Sequence, residues 1–380
     1  MAVYLDHAAT TPMRPEAVAA MLPFMTERFG NPSGSHAVAR QARRALDDAR
    51  QSVAGDLGCE PDEVVFTGSG TEADNLAVLG AHAAVGGDVL CSAVEHHGVL
   101  LACRSVGGRT VPVDRAAVID LEALAEALDD AVGVVSVMLA NNEVGSIQPL
   151  DEVVTLVRQR APRAVVHTDA IAALPWLDVA GATRSADLVS VSAHKFGGPK
   201  GVGVLVVRRG VGLGPVAYGG AQEHGRRPGT HDVAGIVGCA AALAAAVSGR
   251  TTEVDRVRRL RDRLADGLTG IDGVQETAVP VAADGQRDRR GKVAGSCHLL
   301  VHGVDQEELL LLADDAGICA SAGAACASGA LEPSHVLLAL GLSPAEARSA
   351  VRFSLGTTTT EADVDTALAV IAKVIERLRR

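Results

Sequence analysis

Between residues 16 and 260 the chain repeats one alternation. Short valine-rich runs (DEVVFTG, DVLCSAV, GVVSVMLAN, AVVHTDA, ADLVSVSAHK, GVGVLVVRR) alternate with helix-length segments such as SHAVARQARRALDDARQSVAGDLG. Apolar strands buried on both faces, each separated by enough chain for a crossover helix, are what a mostly parallel sheet between two helical layers requires. The pattern therefore predicts a large α/β unit. After about residue 250 it changes to a long charged helix, EVDRVRRLRDRLADGL, then a strand-like SCHLLVHG, a helix over 305–316 and a terminal helix from about 361. This reads as a smaller α/β unit with its own sheet. The stretch AADGQRDRRGK is a polar loop.

With 380 residues and 48% hydrophobic content, the chain can bury a core of this size. Its formal charge of −11 argues against a broad basic face for nucleic acid. The N-terminus, MAVYLDHAATTPMRPE, lacks the basic start and apolar centre of a signal peptide, and no uninterrupted apolar run reaches about 18 residues. A soluble cytoplasmic protein is the expectation. The seven cysteines (59, 91, 103, 239, 297, 319 and 326) include no CxxC pair, so neither a disulfide framework nor a zinc knuckle is suggested.

Ligands of open α/β sheets gather where strands deliver their carboxyl ends, so the residues that follow each run are the candidates. In TGSGTEADN, Gly70 and Thr71 open a helix after a glycine-rich turn, which is either an anion cradle or a plain cap. The absence of a Walker lysine disfavours a nucleoside triphosphate. HTDA ends one run on Asp169, and SVSAHKFGGPKG places Ser192, His194 and Lys195 at the end of another. A lysine there is either a solvated surface group or a reactive amine, and Asp169 shifts the balance toward the second. Pyridoxal phosphate needs a Schiff-base lysine, a carboxylate to keep its pyridine nitrogen protonated, and donors for its phosphate. His96 in VEHHGVL can stack on such a ring, or can be a satisfied structural histidine. Asn142 in NNEVG can bond the ring's phenolic oxygen. EHGRRPGT, with Arg227 and Thr230, offers a turn that can complete a phosphate site from a neighbouring subunit.

Taken together, YLDHAATTP, FGNPSGSH, TGSGTEADNLA, VEHHGVL, NNEVG, HTDA, SAHKFGGPKG, RRPGT, CASGALEPSHVL and VRFSLG resemble the cysteine desulfurases. These are the IscS/NifS-like group I enzymes of the class V aminotransferase family, with PLP fold type I. The motifs fall in family order from residue 4 to 356. The resemblance implies a large domain over 16–257 built on a mostly parallel seven-stranded sheet between helices. A smaller α/β domain, from 1–15 and 258–380, would carry the catalytic cysteine segment.

The resemblance also implies roles. Lys195 would carry pyridoxal 5'-phosphate, Asp169 would pair with the ring nitrogen, His96 would stack on the ring and move protons, and Asn142 would meet its oxygen. Gly70, Thr71, Ser192, His194 and, across a homodimer interface, Thr230 would hold the phosphate. Arg352 would take the substrate carboxylate, whose planar charge its guanidinium fork matches, with Asn31 in the adjacent loop. Cys326 would accept sulfur from L-cysteine, leaving L-alanine, and pass its persulfide to a protein acceptor or scaffold. The destination stays open between iron–sulfur assembly, tRNA thiolation and DNA phosphorothioation. The alternatives are a selenocysteine lyase, another lyase or aminotransferase of the same fold, or a non-catalytic scaffold. No metal, membrane or direct nucleic-acid contact is expected.

Two departures stand out. Where the family has Asp-Ala-x-Gln, this chain has Asp169-Ala170-Ile171-Ala172, so a ring-oxygen partner worth about 0.5–1.5 kcal/mol is missing. Around the thiol, Ala322, Ala324 and Ala327 stand at or near the family's serines. Fewer side-chain-to-backbone bonds predict a segment ordered at rest, with Cys326 held off the cofactor until substrate or partner arrives.

Overall fold

The computed structural model describes residues 2–323 and 333–380. Its strands are β1 (Val3–Tyr4), β2 (Val64–Thr67), β3 (Asp88–Ser92), β4 (Arg109–Val111), β5 (Val132–Ser136), β6 (Val165–Asp169), β7 (Leu188–Ser192), β8 (Gly203–Val207), β9 (Val274–Glu276), β10 (Ser296–Val301), β11 (Ile318–Cys319) and β12 (Ala350–Ser354). Seven of them form one sheet in the order β2-β8-β7-β6-β5-β3-β4, and all pairings are parallel except those of β8 with β2 and β7.

The side-chain period of two splits each strand between two cores. In β8, Val204 and Val206 join one cluster while Leu205 and Val207 join the other; in β2, Val64 and Phe66 oppose Val65. One face is covered by the helices Gly70–Val85, through Ala73, Leu76, Ala77 and Ala81, and His97–Ser105, through Val99, Leu100, Ala102 and Cys103. The other is covered by Ala37–Leu57, Leu150–Arg160 and the first half of Val233–Thr269. Burial on both faces explains why these strands read as continuous valine runs rather than as an alternation.

A second sheet, β12-β10-β9, is antiparallel. Its core is shared with Val257, Leu260, Leu264 and Leu268 of the Val233–Thr269 helix, with Ile371 and Ile375 of the terminal helix Glu361–Leu378, and with Val3 and Leu5. The sequence pattern shows the charged half of the long helix as a separate element. It is continuous with the apolar VAGIVGCAAALAAAV, giving 37 residues, or about 55 Å at 1.5 Å per residue. Its first half buries Ile236, Cys239 and Leu243 against the large sheet, its second half packs on the small one, and the helix runs through Gly249 between them without a break. Val94, Met138 and Val144 meet Leu300, Val336 and Leu337 in a further apolar contact between the two units.

The N-terminal segment also joins them. β1 pairs in parallel with β11, and Asp6 bridges to Ser354 of β12. The chain then crosses to the large sheet, where Thr11 N donates to His194 O and Arg14 N to Gly197 O. A segment from the small unit thereby reaches the carboxyl ends of β6 and β7.

Candidate active site

Those carboxyl ends border a cavity of about 510 Å³ lined by Thr71, His96, Asn142, Asp169, Ala172, Ser192, His194, Lys195, Gly323 and Arg352, among others. The size suits a cofactor with a small substrate. One end is an anion cradle. The helix Gly70–Val85 begins there, and its first N–H groups have no carbonyl one turn back to bond. Ser69 caps it by accepting from Glu72 N at 3.1 Å. Gly70 is required by close approach: a Cβ there would lie 2.3 Å from Ile171 Cδ1 and 3.0 Å from Ser192 Cβ. Ser192 ends β7 at the same wall.

At the floor, Asp169 is buried at the end of β6, where Oδ1 accepts from Ile171 N at 2.8 Å. Burial pushes its pKa up to about 6, against the Ile171 N–H and the charge of Lys195. Lys195 stands in the single 3-10 turn Ala193–Lys195 after β7. Its Nζ donates to the carbonyls of Ala8 at 2.5 Å and Ala9 at 2.9 Å. His194 Nδ1 meets Thr10 Oγ1 at 3.1 Å, and burial followed by the charges of Lys195 and Lys200 holds its pKa near 4.

His96 caps the helix His97–Ser105: its Nδ1 accepts from Gly98 N at 3.0 Å. Burial, then Lys195, lowers its pKa to about 4, so the ring is neutral at pH 7 and its proton sits on Nε2. That state can give and take one proton. Behind it lies Asp74, whose Oδ2 would be 3.0 Å from a Cβ on Gly98, a tight contact that the glycine avoids.

At the opposite end, Arg352 on β12 is 2% exposed. Nη1 donates to Asn142 O at 2.9 Å and Gly323 O at 3.3 Å, Nη2 to Asp6 Oδ1 at 2.9 Å, and Nε has no partner among the described residues. A guanidinium offers five N–H donors. One N–H on Nε and one on Nη2 are left for a carboxylate among the described residues. Asn142 lines the cavity beside it.

Three of the residues singled out in the sequence are not assembled here. Asn31 is exposed, its Oδ1 accepting from Ser33 N, and Thr230 is exposed away from its own chain's cavity. Arg227 pairs with Glu72, Nε to Oε1 at 2.8 Å, instead of reaching the cradle. Cys326, Ala324 and Ala327 lie outside the described residues, as does the expectation of an ordered resting segment. Gly323, three positions ahead of Cys326, does line the cavity. Ala172, at the position of the missing Gln, is a wall shared with a second, smaller cavity bordered by His7, Trp176 and Phe196. The two cavities thus meet at Ala172.

The sequence reading overlooked Asp6, Asp74, Glu95, Glu143 and the carbonyls of Ala8 and Ala9. Glu95 Oε1 accepts from buried Met138 N at 2.7 Å, and Glu143 Oε2 accepts from Ser334 Oγ at 2.6 Å. Asp6, Glu95 and Glu143 were visible as carboxylates inside quoted motifs; backbone carbonyls carry no residue-type signal at all.

The aminotransferase class-V family matches residues 3–367 of this chain. A cysteine desulfurase IscS from Methanosarcina thermophila is 39% identical over 390 residues, covering 100% of this chain and 93% of that protein. Among solved structures, a NifS-like protein superimposes with a TM-score of 0.90 at 32% identity, covering 100% of this chain and 99% of its own. A structure described as SspA in complex with cysteine gives 0.78 at 28% identity, over 94% and 99%. Members of this family use pyridoxal 5'-phosphate. The residues present fit it: a buried carboxylate on the cavity floor, a lysine amine beside it, and a helix N-terminus at a glycine that a Cβ would block. The full-length match places the chain in the aminotransferase class-V family, among its cysteine desulfurases.

Proposed function

We propose that this protein converts L-cysteine to L-alanine and takes the released sulfur as a persulfide on Cys326, for transfer to an acceptor thiol. The observation that carries the reading is one cavity bordered by the helix N-terminus at Gly70 and Thr71, by Asp169, Lys195 and Arg352, and by Gly323 at the edge of the Cys326 segment.

In this reading the N–H groups of Gly70 and Thr71, with Ser192 and His194, bind the cofactor phosphate; Asp169 faces the ring nitrogen and Asn142 its oxygen. Bound pyridoxal phosphate withdraws electrons from Cα of an attached amino acid. Arg352 holds the substrate carboxylate through Nε and Nη2, which fixes the orientation of the amino acid. Lys195, its Nζ gripped by two carbonyls in the resting state, is the amine that takes and returns the Cα proton. His96, neutral at pH 7, moves a proton at the substrate sulfur through Nε2. The Cys326 thiolate attacks that sulfur: a sulfur–sulfur bond forms as the carbon–sulfur bond breaks, and Cβ, taking a proton, becomes the methyl of alanine. Cysteine plus enzyme thiol thus balances alanine plus enzyme persulfide, with no external oxidant.

The same reading includes a homodimer in which Thr230 serves the partner's phosphate site. It is supported by the exposure of Thr230 and by an exposed apolar stripe of Val18, Leu22 and Met25 on the helix Pro15–Met25, followed by exposed Phe29. The sulfur acceptor, in iron–sulfur assembly, tRNA thiolation or DNA phosphorothioation, belongs to the proposal only as a protein thiol.

The test is to incubate the purified protein with L-cysteine, quantify alanine, and map persulfide by mass spectrometry. Equal alanine and Cys326 persulfide are expected. In Cys326→Ala both should be lost while the visible absorbance of the cofactor remains. Alanine formation undiminished in that variant would favour a lyase that needs no thiol; a colourless protein after cofactor addition would favour a scaffold.

A further inference from the structure

We infer that Asp6 is a built-in competitor at Arg352. It orients the guanidinium and also weakens its hold on the carboxylate of any α-amino acid, substrate and product alike. The inference rests on the proposed role of Arg352 and adds a residue that sets the strength of that site.

The geometry is specific. Asp6 Oδ1 lies 2.9 Å from Arg352 Nη2, one of the two nitrogens left to receive a ligand. Asp6 is fixed from its backbone: it bridges to Ser354 on β12, and its carbonyl accepts from Tyr4 Oη at 3.0 Å and Ala9 N at 3.1 Å. Arg352 is fixed across the strand by Ser321, whose O accepts from Arg352 N at 2.7 Å. Neither partner swings away freely. A buried guanidinium with no counter-charge would be costly, so Asp6 compensates it in the empty site. Once a ligand carboxylate arrives, two anions share one cation, and their repulsion beside the buried guanidinium opposes binding.

Cysteine and alanine present the same carboxylate, so the opposition is uniform. It raises the KM for cysteine and speeds the loss of alanine without touching the steps between. Asp6 is a positioning residue in this sense: it acts on the substrate through Arg352.

The experiment uses the holoenzyme and two readouts, steady-state kinetics with L-cysteine and a titration with L-alanine followed by cofactor absorbance. Asp6→Asn keeps the shape and removes the charge. It should lower the KM for cysteine and the Kd for alanine by the same factor, about tenfold, with no rise in kcat. Asp6→Ser, smaller and also neutral, should move both constants the same way, which guards against a folding defect of the first variant. Constants that stay unchanged or rise in both variants would overturn the proposal, provided Arg352→Gln weakens alanine binding at least tenfold. If Arg352→Gln leaves alanine binding intact, the assignment of Arg352 itself fails, and the role of Asp6 falls with it.

Discussion

Asp74→Asn should stabilise the protein, and increasingly so as the pH rises. Asp74 sits on the Gly70–Val85 helix with both carboxyl oxygens buried and without a hydrogen bond of good geometry among the described residues. Its Oδ1 is 3.8 Å from His167 Nε2, but burial holds the pKa of His167 near 3, so that ring carries no charge to pair with. Burial first, and Asp169 second, push the pKa of Asp74 well above its ordinary value; the Ser190 hydroxyl opposes this less than they raise it. Glu95, in the same cluster, is raised by burial and then by Asp169. A carboxyl that is neutral when folded and ionised when unfolded binds one proton more in the native state. Stability then falls by about 1.4 kcal/mol per pH unit between the unfolded and the folded pKa. The amide has no such proton. The difference in unfolding free energy should therefore shift steadily in favour of D74N as the pH rises above the unfolded value, by about 1.4 kcal/mol per pH unit for as long as Asp74 stays protonated in the fold. Urea unfolding of both proteins at pH 5, 6 and 7 measures it. A difference that stays flat across that range would mean that Asp74 is ionised in the fold, and that the cavity floor carries a second full negative charge beside Asp169.

Three further outcomes are expected. Gly70→Ala places a methyl 2.3 Å from Ile171 Cδ1, and the resulting displacement of the helix N-terminus should weaken cofactor retention about tenfold; adding Ile171→Val, which deletes that carbon, should recover part of it, as read by absorbance after gel filtration. Asp169→Asn removes a charge-assisted partner of the ring nitrogen and should weaken retention by about ten- to a hundredfold in the same assay. Burial raises the pKa of Glu223, but its bonds to His231 at 2.7 Å and to Arg50 at 2.5 Å outweigh this and hold it near 2. Its stabilisation is therefore complete above the unfolded value near 4.5 and is lost as pH falls toward 2. Glu223→Gln should cost about 3 kcal/mol at pH 7 in urea unfolding, with the gap from wild type narrowing steadily below pH 4.5.

The large sheet was legible because burial on both faces writes itself as runs such as VVFT and LVSVS, and residues at the ends of those runs border the cavity. Asp169 and Ser192 end, and His194 and Lys195 follow, strands that are neighbours in the sheet. Two kinds of feature were not legible. The first is long-range: nothing in VAGIVGCAAALAAAV or in EVDRVRRLRDRL says that they are one helix, because each half takes its pattern from a different sheet. The second is the N-terminal segment. YLDHAATTP looks like a turn-rich opening, yet Asp6 binds Arg352, the carbonyls of Ala8 and Ala9 grip Lys195, and the Thr10 hydroxyl meets His194. Two of these contacts are made by backbone, which has no letter in a sequence.

That segment also bears on how the site works as a unit. Asp6 and Ala9 are three residues apart and belong to one turn, closed by Ala9 N donating to Asp6 O at 3.1 Å. The turn therefore holds, at once, the cation assigned to the substrate carboxylate and the amine assigned to the Cα proton. Because Asp6 is held by its backbone, the turn fixes the spacing between Arg352 and Lys195 Nζ. The consequence is an asymmetry between variants. Ala9→Gly loosens the turn while leaving every side chain of the site in place, and should slow the loss of the Cα proton in deuterium exchange of L-alanine while leaving cofactor retention at the wild-type level. If exchange is unaffected, the two carbonyls merely house Lys195 at rest, and the carboxylate and amine ends of the cavity act independently.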